Sequence, residues 1–411
     1  MSELYFKKNK EVNELLSAAL DLGEHLLISG GEIARVEDTI RRLCVAYGAE
    51  SVDVFTITSS IVVTAVFPEC GAITQTRRIS GVKWNLTAME ALNALSRKAC
   101  SSKMDVAEIH DELRKIENTP KYTGAKMACI WMFIASGFSV FFGGSFLDAA
   151  VSGVLGFFLY YVQQMFTSLE VNTYLSSVLC SMLGGVISNL VITQYLDINP
   201  SMINIGVIML LIPGIPLTNS LRDVFSGDTM SGMMRCCEAL VLAVVIAWGF
   251  AVTAAPGAMN IEVDYRVQTL AALVGTAGFC LMFNGRMKVL GWCTLSGGLA
   301  WILNVICING ADMGEFQSFF IASMGIAVYA HVAARLAECP VTIFTTAATI
   351  PLIPGGSLYY TMRFAVMGQW ENFAMQGLST LSYAAMIAIG ILVVNTVVSA
   401  YMTFERKYMG D

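Results

Sequence analysis

The stretch LIPGIPLTNSLRDVFSG, from Leu211 to Gly227, is followed 141 positions later by LIPGGSLYYTMRFAVMG, from Leu352 to Gly368. The two segments share Leu, Ile, Pro, Gly, Leu, Arg and Gly at matching positions. The same offset relates the GFxxxFxG pattern of Gly137–Gly144 to that of Gly278–Gly285. Two matches at one spacing predict an internal repeat. We interpret the small residues of the GFxxxFxG pattern as helix-packing positions.

Both copies of the repeat lie in very apolar sequence. Of 411 residues, 55% are hydrophobic and 14% are charged, whereas an ordinary soluble domain has about 25% charged residues. A bilayer core of about 30 Å needs about 20 apolar helical residues, so stretches without Asp, Glu, Lys or Arg indicate candidate spans. Ten such stretches have 19 residues or more: Met127–Leu147, Ala149–Leu169, Val171–Leu196, Ile198–Leu221, Ala239–Ile261, Val267–Gly285, Val289–Ala311, Phe316–Ala334, Cys339–Met362 and Asn372–Phe404. The sequence therefore predicts a polytopic α-helical membrane protein with ten transmembrane helices.

The predicted halves have opposite orientations in the membrane. Each copy holds five spans, and an odd number makes the second copy enter from the other side. We therefore expect two inverted five-helix repeats, residues 123–261 and 262–411, behind a small α+β cytoplasmic domain of residues 1–122. With the N-terminus inside, the predicted cytoplasmic connections of the membrane region hold seven Lys or Arg and the external ones hold two. Together with the absence of a signal peptide at the N-terminus, this charge distribution predicts a multi-pass bacterial inner-membrane protein with both termini in the cytoplasm.

The Pro-Gly pairs of the repeat are the candidate transport site. Pro213 and Pro354 are each the sixteenth residue of a charge-free stretch, so both are expected to interrupt a helix inside the membrane. A helix that restarts there presents free N–H groups and a positive dipole end, which favour a carboxylate. The alternative is that these residues only kink their helices, although duplication at equal depth favours a site. The predicted substrate-binding residues are Pro213, Gly214, Thr218, Asn219, Ser220, Pro354, Gly355, Ser357, Tyr359 and Tyr360.

Ionisable residues near the predicted spans are candidates for proton coupling or gating, because charges in a membrane are costly and usually functional. The candidate coupling or gating residues are Asp148, Arg222, Asp223, Glu238 and Arg363. His331 and Glu338 are further titratable groups near the spans. The alternative interpretation is that Asp148, Asp223 and Glu338 lie in water at the interface, and that a neighbouring side chain satisfies His331.

The first 122 residues predict an α+β domain of order ααβββαα. Two apolar helical stripes are followed by β-branched runs at Val52–Thr58, Ile61–Phe67 and Ala72–Ile79, and then by two more helices. The pair Gly30-Gly31 is interpreted as a helix junction. Glu32, Arg35 and Glu37 open the second helix and are either a ligand-binding motif or a solvated face.

Several functional classes are not supported by the sequence. The net charge of −6 and the lack of a basic stripe argue against a nucleic-acid partner. Eleven cysteines without a CxxC pair indicate neither a disulfide framework nor a zinc site. Because there is also no phosphate-binding loop or nucleophile elbow, we expect no metal, no cofactor and no enzymatic activity. The expected partners are a small-molecule substrate, the lipid bilayer and protons.

The segment LGEHLLISGGEIARVEDTIRRLCVAYG, from Leu22 to Gly48, together with the LIPG repeats, resembles the threonine/serine exporter family. The resemblance spans nearly the whole chain and implies export of threonine and serine, with antiport of protons driven by the proton-motive force. The residues that the resemblance implies to be functional are Glu32, Arg35, Glu37, Pro213, Gly214, Arg222, Pro354 and Gly355. Phe364 stands where the first half has Asp223, so the two half-sites are not equivalent.

Three other functions stay open at the level of the sequence. Relatives of this family with split halves are associated with dicarboxylates such as succinate, and a half-helix N-terminus would accept either acid. A membrane-anchored hydrolase would place its active site in the N-terminal domain, but an anchor does not need duplicated broken helices. A channel differs from a carrier only in whether both gates open together.

Overall fold

The computed structural model describes residues 2–68, 70–192, 198–251 and 264–408. The chain divides into two compact units, which are described separately. Unit 1 comprises Met1–Lys121, Gly227–Met234 and Phe283–Arg286, and unit 2 comprises Tyr122–Ser226, Arg235–Met282 and Met287–Asp411. The predicted boundary between the two repeats, at residues 261 and 262, lies outside the described residues.

Unit 1 is an α+β structure. Its main elements are α1 (Ser2–Ile28), α2 (Ile33–Ala46), β1 (Ser51–Ile57), β2 (Ser60–Phe67), β3 (Gly71–Arg78), α3 (Leu86–Ser102) and α4 (Val106–Glu117). The three strands form one antiparallel sheet in the order β1-β2-β3. Every second residue of β2 is buried, which gives the sheet one core face. Each strand lies within one residue of the position that the sequence predicted.

Glycine at position 30 ends α1 in a way that other residues could not. Gly30 has φ +96°, a left-handed conformation that suits glycine. Its amide donates to the Leu27 carbonyl, and the Gly31 amide donates to the Leu26 carbonyl, which together form a Schellman cap. The Trp84 ring lies so close that a Cβ at Gly30 would overlap it. The predicted helix junction is therefore confirmed.

Two short segments from later in the chain are part of unit 1. Ser231 donates its hydroxyl hydrogen to the Thr56 carbonyl of β1, at 3.0 Å. The Leu86 amide, at the start of α3, donates to the Phe283 carbonyl at 2.9 Å. Nothing in the local sequence pattern predicts these long-range contacts.

Unit 2 is entirely helical in its described residues. Its elements are α5 (Ala125–Phe141), α6 (Phe146–Ser168), α7 (Thr173–Ile192), α8 (Pro200–Ile208), α9 (Gly214–Phe225), α10 (Thr229–Ala251), α11 (Tyr265–Met282), α12 (Met287–Val305), a π turn (Ile306–Gly310), α13 (Glu315–Ala337), α14 (Val341–Thr349), a 3-10 turn (Ile350–Leu352), α15 (Gly355–Val366) and α16 (Trp370–Tyr408). The first residues of α10, as far as Met234, belong to unit 1, and the rest of this helix belongs to unit 2.

Within the described residues, five helices are long and apolar enough to cross a membrane, and a bent pair, Val341–Leu352 with Gly355–Val366, makes a sixth. The chain is thus a multi-pass helical membrane protein. The prediction of ten spans is not confirmed by these lengths. One physical reason is that α8 and α9 have 9 and 12 residues on either side of a break, so neither approaches the ~20 residues of a full span.

The first helices of the two repeats pack directly on each other. Gly137 of α5 lies against Val274 and Gly275 of α11, while Gly278 of α11 lies against Ile134 of α5. The earlier residue of α5, Ile134, contacts the later residue of α11, Gly278, and the later Gly137 contacts the earlier Val274. The two helices therefore run antiparallel. The small residues permit this close approach, as the packing interpretation of the GFxxxFxG pattern predicted.

Candidate functional site

The helix breaks predicted at both prolines are present. Pro213 precedes α9 with φ −81° and ψ 50°, and Pro354 precedes α15 with φ −75° and ψ 50°. In each case the next glycine amide bonds to the carbonyl two residues back, with N–O distances of 2.9 Å for Gly214 and 2.7 Å for Gly355. The axes on either side of Pro354 differ by 50°. The two copies thus adopt the same local geometry.

The two breaks pack on each other reciprocally. A Cβ at Gly214 would overlap Cγ2 of Ile353, which lies in the other repeat. A Cβ at Gly355 would lie 2.7 Å from the Met209 sulfur and 3.6 Å from Cγ2 of Ile212. Gly214 and Gly355 are equivalent at the repeat offset, and so are Ile212 and Ile353. Equivalent positions of the two repeated segments therefore contact each other in both directions.

The side chains around this crossing continue the exchange. One hydrophobic cluster contains Leu217 and its equivalent Leu358, and also Ala243 and its equivalent Ala384. Tyr359 is buried in a second cluster that includes Ile205 of α8. Each resumed helix thus packs partly against the opposite repeat. A shift of either repeat would therefore change the packing of the other.

The two resumed helices differ in the hydrogen-bond donors that they present. The first three amides of a helix have no acceptor within the helix. In α9 the Gly214 amide is used in the turn at the break, and the third residue, Pro216, has no N–H. Only the Ile215 amide is therefore left without an acceptor in the helix. In α15 both Gly356 and Ser357 have such an amide. The start of α15 therefore presents more such amides than the start of α9.

Several predicted substrate-binding hydroxyls are engaged within their own helices. Thr218 donates to the Gly214 carbonyl at 3.2 Å, and Ser220 donates to the Leu217 carbonyl at 2.6 Å. Both residues are buried. Asn219, Ser357 and Tyr360 are half-buried instead. These three residues are the most accessible of the predicted substrate-binding side chains.

A buried ion pair joins the last turn of α9 to α10. Arg235 Nη1 lies 2.8 Å from Asp223 Oδ2, with the two side chains 14% and 6% exposed. Arg222 is also buried, as is its repeat equivalent Arg363. The interpretation that Asp223 lies in interfacial water is wrong, because its carboxylate is enclosed beside a guanidinium. Removing one member of such a pair leaves a costly unpaired charge.

Asp148 is likewise buried rather than in water. Its Oδ2 accepts from the amide and the hydroxyl of Ser145, at 2.7 and 2.8 Å, and its Oδ1 accepts from the Asn199 amide at 2.7 Å. Ser145 and Asp148 form a capping box that starts α6. The same carboxylate therefore ties the beginning of α8 to that of α6.

The remaining titratable candidates have different surroundings. Glu238 is exposed on α10, and Glu338 is exposed at the end of α13. His331 Nε2 lies 2.9 Å from Asn395 Oδ1, so a neighbour satisfies it, as the alternative interpretation predicted. Among the residues that the structure describes, no group of three or more His, Cys, Asp or Glu could hold a metal ion.

Arg35 and Glu37 of the Glu32 motif have different hydrogen-bond partners in the structure. Arg35 Nη1 donates to Asn93 Oδ1 at 3.1 Å, whereas the Glu37 carboxylate accepts from the Thr56 amide at 2.9 Å. Burial raises the pKa of Glu37 above its usual value; the Thr56 amide opposes this shift and the nearby Asp228 reinforces it. Sequence reasoning missed Asn93, because it lies 58 positions from Arg35 on another helix.

Two family models match this chain, one over its N-terminal region and first repeat and the other over its second repeat. The family described as "Putative threonine/serine exporter" matches residues 17–255, and the one described as "Threonine/Serine exporter, ThrE" matches residues 268–397. The chain belongs to the threonine/serine exporter family. This membership supports a role as a transporter rather than an enzyme. No solved structure was found to match the chain.

Three relatives of this threonine/serine exporter family member show the range of similarity. The "Probable threonine/serine exporter" of Mycobacterium tuberculosis is 21% identical over 403 residues, covering 92% of this chain and 75% of the relative. The "Threonine/serine exporter" of Corynebacterium glutamicum is 21% identical over 412 residues, covering 93% and 83%. The "Probable succinate transporter subunit YjjP" of Klebsiella aerogenes is 24% identical over 234 residues, covering 55% of this chain and 87% of the relative.

Proposed function

We propose that this protein is a secondary transporter that exports threonine, serine and related small hydroxy amino acids across the bacterial inner membrane. The observation that carries the proposal is the reciprocal packing of two interrupted helices, with Gly214 against Ile353 and Gly355 against Ile212. Two relatives with the name threonine/serine exporter support the substrate class.

The two halves act as inverted repeats in this proposal, with ten spans and both termini in the cytoplasm. The antiparallel packing of α5 on α11 supports this arrangement, since equivalent helices of inverted repeats run in opposite directions. Alternating access then consists of rocking one half against the other about the crossing of the breaks.

The substrate lies at that crossing, with its carboxylate at the amides of Gly356 and Ser357. Asn219, Tyr360 and the Ser357 hydroxyl bind its ammonium and hydroxyl groups. Pro213, Gly214, Pro354 and Gly355 shape the backbone around the solute, while Thr218, Ser220 and Tyr359 form the surrounding wall.

Export is coupled to inward movement of protons in this proposal. Protonation of Asp223 would release Arg235 from the buried ion pair and change the packing between α9 and α10. Arg222 and Arg363 supply fixed positive charge at equivalent places in the two halves. Glu238 is a further coupling residue at an exposed position, and Asp148 transmits movement between α6 and α8.

Proteoliposomes provide the test. Vesicles loaded with labelled threonine or serine are expected to release it faster when the proton gradient is imposed than when it is collapsed, and to show counterflow. Gly355→Leu should abolish the flux because the added side chain meets Met209. Gly291→Ala, where a Cβ meets nothing within 4 Å, is the matched control. Absence of threonine and serine movement in every condition would rule out the proposal.

A dicarboxylate exporter is the second candidate. The relative that is named a succinate transporter subunit favours it, and the buried guanidinium groups of Arg222 and Arg363 could face two carboxylates. Labelled succinate in the same vesicles decides between the two candidates. Succinate flux without threonine flux would select the dicarboxylate.

A further inference from the structure

A polar cavity lies between two helices of unit 1. Its volume is about 400 Å³, within the range of small-molecule sites. The facing surfaces of α2 and α3 contribute its lining: Glu32, Ala34, Arg35, Asp38, Thr39, Arg42, Asn93, Ser96 and Arg97. Positions 35, 38, 39 and 42 follow helical spacing, as do 93, 96 and 97, so two complementary helix faces form the walls.

The base of the cavity is preorganised by hydrogen bonds. Asn93 is 8% exposed, and its Nδ2 donates to the Met89 carbonyl at 2.7 Å. Its Oδ1 accepts from Arg35 Nη1 at 3.1 Å, which fixes the guanidinium in place. Because a guanidinium has five N–H donors, this one bond leaves donors for the oxygens of a ligand.

Both signs of charge line the cavity. Three guanidinium groups (Arg35, Arg42 and Arg97) occur with two carboxylates (Glu32 and Asp38). Arg42 and Asp38 form an exposed ion pair at 2.8 Å. This mixture suits a molecule that carries both a carboxylate and an ammonium group. No aromatic side chain is among the lining residues, so the cavity has no stacking platform for a nucleotide base.

We infer that this cavity binds a free α-amino acid, separately from the membrane site. The α-carboxylate bonds to Arg35 and Arg97, and the ammonium group lies near the carboxylate oxygens of Glu32 and Asp38. The hydroxyls of Thr39 and Ser96 give a preference for a short polar side chain. The site lies in unit 1, so binding here does not require the interrupted helices.

Hydrogen–deuterium exchange of the full chain in detergent tests this inference. Saturating threonine or serine is expected to protect peptides that cover residues 32–42 and 93–97. Arg97→Gln should weaken the apparent affinity of this protection about tenfold, since it removes a charge-assisted hydrogen bond. Arg97 is exposed, so the substitution leaves the fold intact. Arg35→Gln is the second variant, with the same expected direction.

Arg41→Gln is the matched control, because Arg41 is an exposed arginine of the same helix outside the cavity. A Gly355→Leu chain should lose transport but keep the protection in unit 1, which separates this inference from the proposed function. The inference is overturned if saturating amino acid gives no protection in these peptides, or if Arg97→Gln and Arg35→Gln protect as well as the wild type. Protection by inorganic phosphate or succinate but not by amino acids would also overturn it.

Discussion

Gly214 lies against Ile353, at a distance that leaves no room for even a methyl group on the glycine. The two residues belong to different copies of the repeated segment and are 139 positions apart in the chain. The equivalent contact joins Gly355 to Ile212 and Met209. The crossing is thus closely packed at two glycines, and a larger residue at either position would change how the two halves fit together.

Gly214→Ala is expected to reduce threonine efflux about tenfold or more. The new Cβ would overlap Ile353 and force the breaks apart, and overpacking of this kind costs about 1–3 kcal/mol. Initial rates of efflux from proteoliposomes, normalised to the amount of folded protein, measure the effect.

The rescue of this variant is a sharper test. Gly214→Ala combined with Ile353→Ala should recover much of the flux, since the second substitution removes the overlapping atoms. Gly291→Ala should have no effect, because a Cβ there meets nothing within 4 Å. Wild-type flux in Gly214→Ala alone would contradict the packing argument.

Neighbouring polar residues at the start of α9 should differ in their effect on transport. Asn219→Ala is expected to lower threonine flux about tenfold, since its half-buried amide is placed to bind the solute. Thr218→Val should change it less than about threefold, because the Thr218 hydroxyl bonds to Gly214 of its own helix. Concentration dependence of counterflow measures both variants. The reverse order of effects would move the solute away from Asn219.

The ion pair of Asp223 and Arg235 should behave as a unit. Asp223→Asn leaves a buried guanidinium without its carboxylate and is expected to destabilise the protein by about 3–5 kcal/mol. Asp223→Asn with Arg235→Gln should recover most of this loss. Thermal unfolding in detergent, analysed as a double-mutant cycle, measures the coupling. Additive effects of the two substitutions would show that the pair contributes no coupling energy.

Glu37 should make the stability of unit 1 depend on pH. Burial raises its pKa in the folded state above the ordinary value of 4.5. Between the ordinary pKa and the raised pKa, the folded state therefore binds more protons than the unfolded state. Stability contributed by Glu37 is therefore greatest at low pH and falls as pH rises through the folded-state pKa. Glu37→Gln should flatten this dependence, because glutamine does not titrate and still accepts the Thr56 bond.

The midpoint of thermal unfolding from pH 5 to pH 8 provides the measurement. The difference between wild type and Glu37→Gln isolates Glu37 from other titrating groups. Glu50→Gln, which removes an exposed carboxylate of the same unit, is the control and should leave the slope unchanged. Parallel curves for wild type and Glu37→Gln would refute the prediction.

Local sequence signals located the strands and the helix breaks of this protein well. Proline and glycine determine backbone geometry at their own positions, so the breaks at Pro213 and Pro354 and the cap at Gly30 could be predicted. Alternation of β-branched residues located the three strands within one residue. The burial of Asp148 and Asp223 could not be predicted, because the groups that enclose them, at Asn199 and Arg235, come from other helices.

By itself the sequence determined that the chain is apolar, repeated and twice interrupted, since these properties depend on residue type and spacing alone. Tertiary structure decided which break faces which, that the hydroxyls of Thr218 and Ser220 bond within their own helix, and that Arg35 meets Asn93. The physical reason is that packing and hydrogen bonding depend on distance in space. A periodic pattern specifies which face of a helix is apolar, but the partner of that face is fixed only when the whole chain is folded.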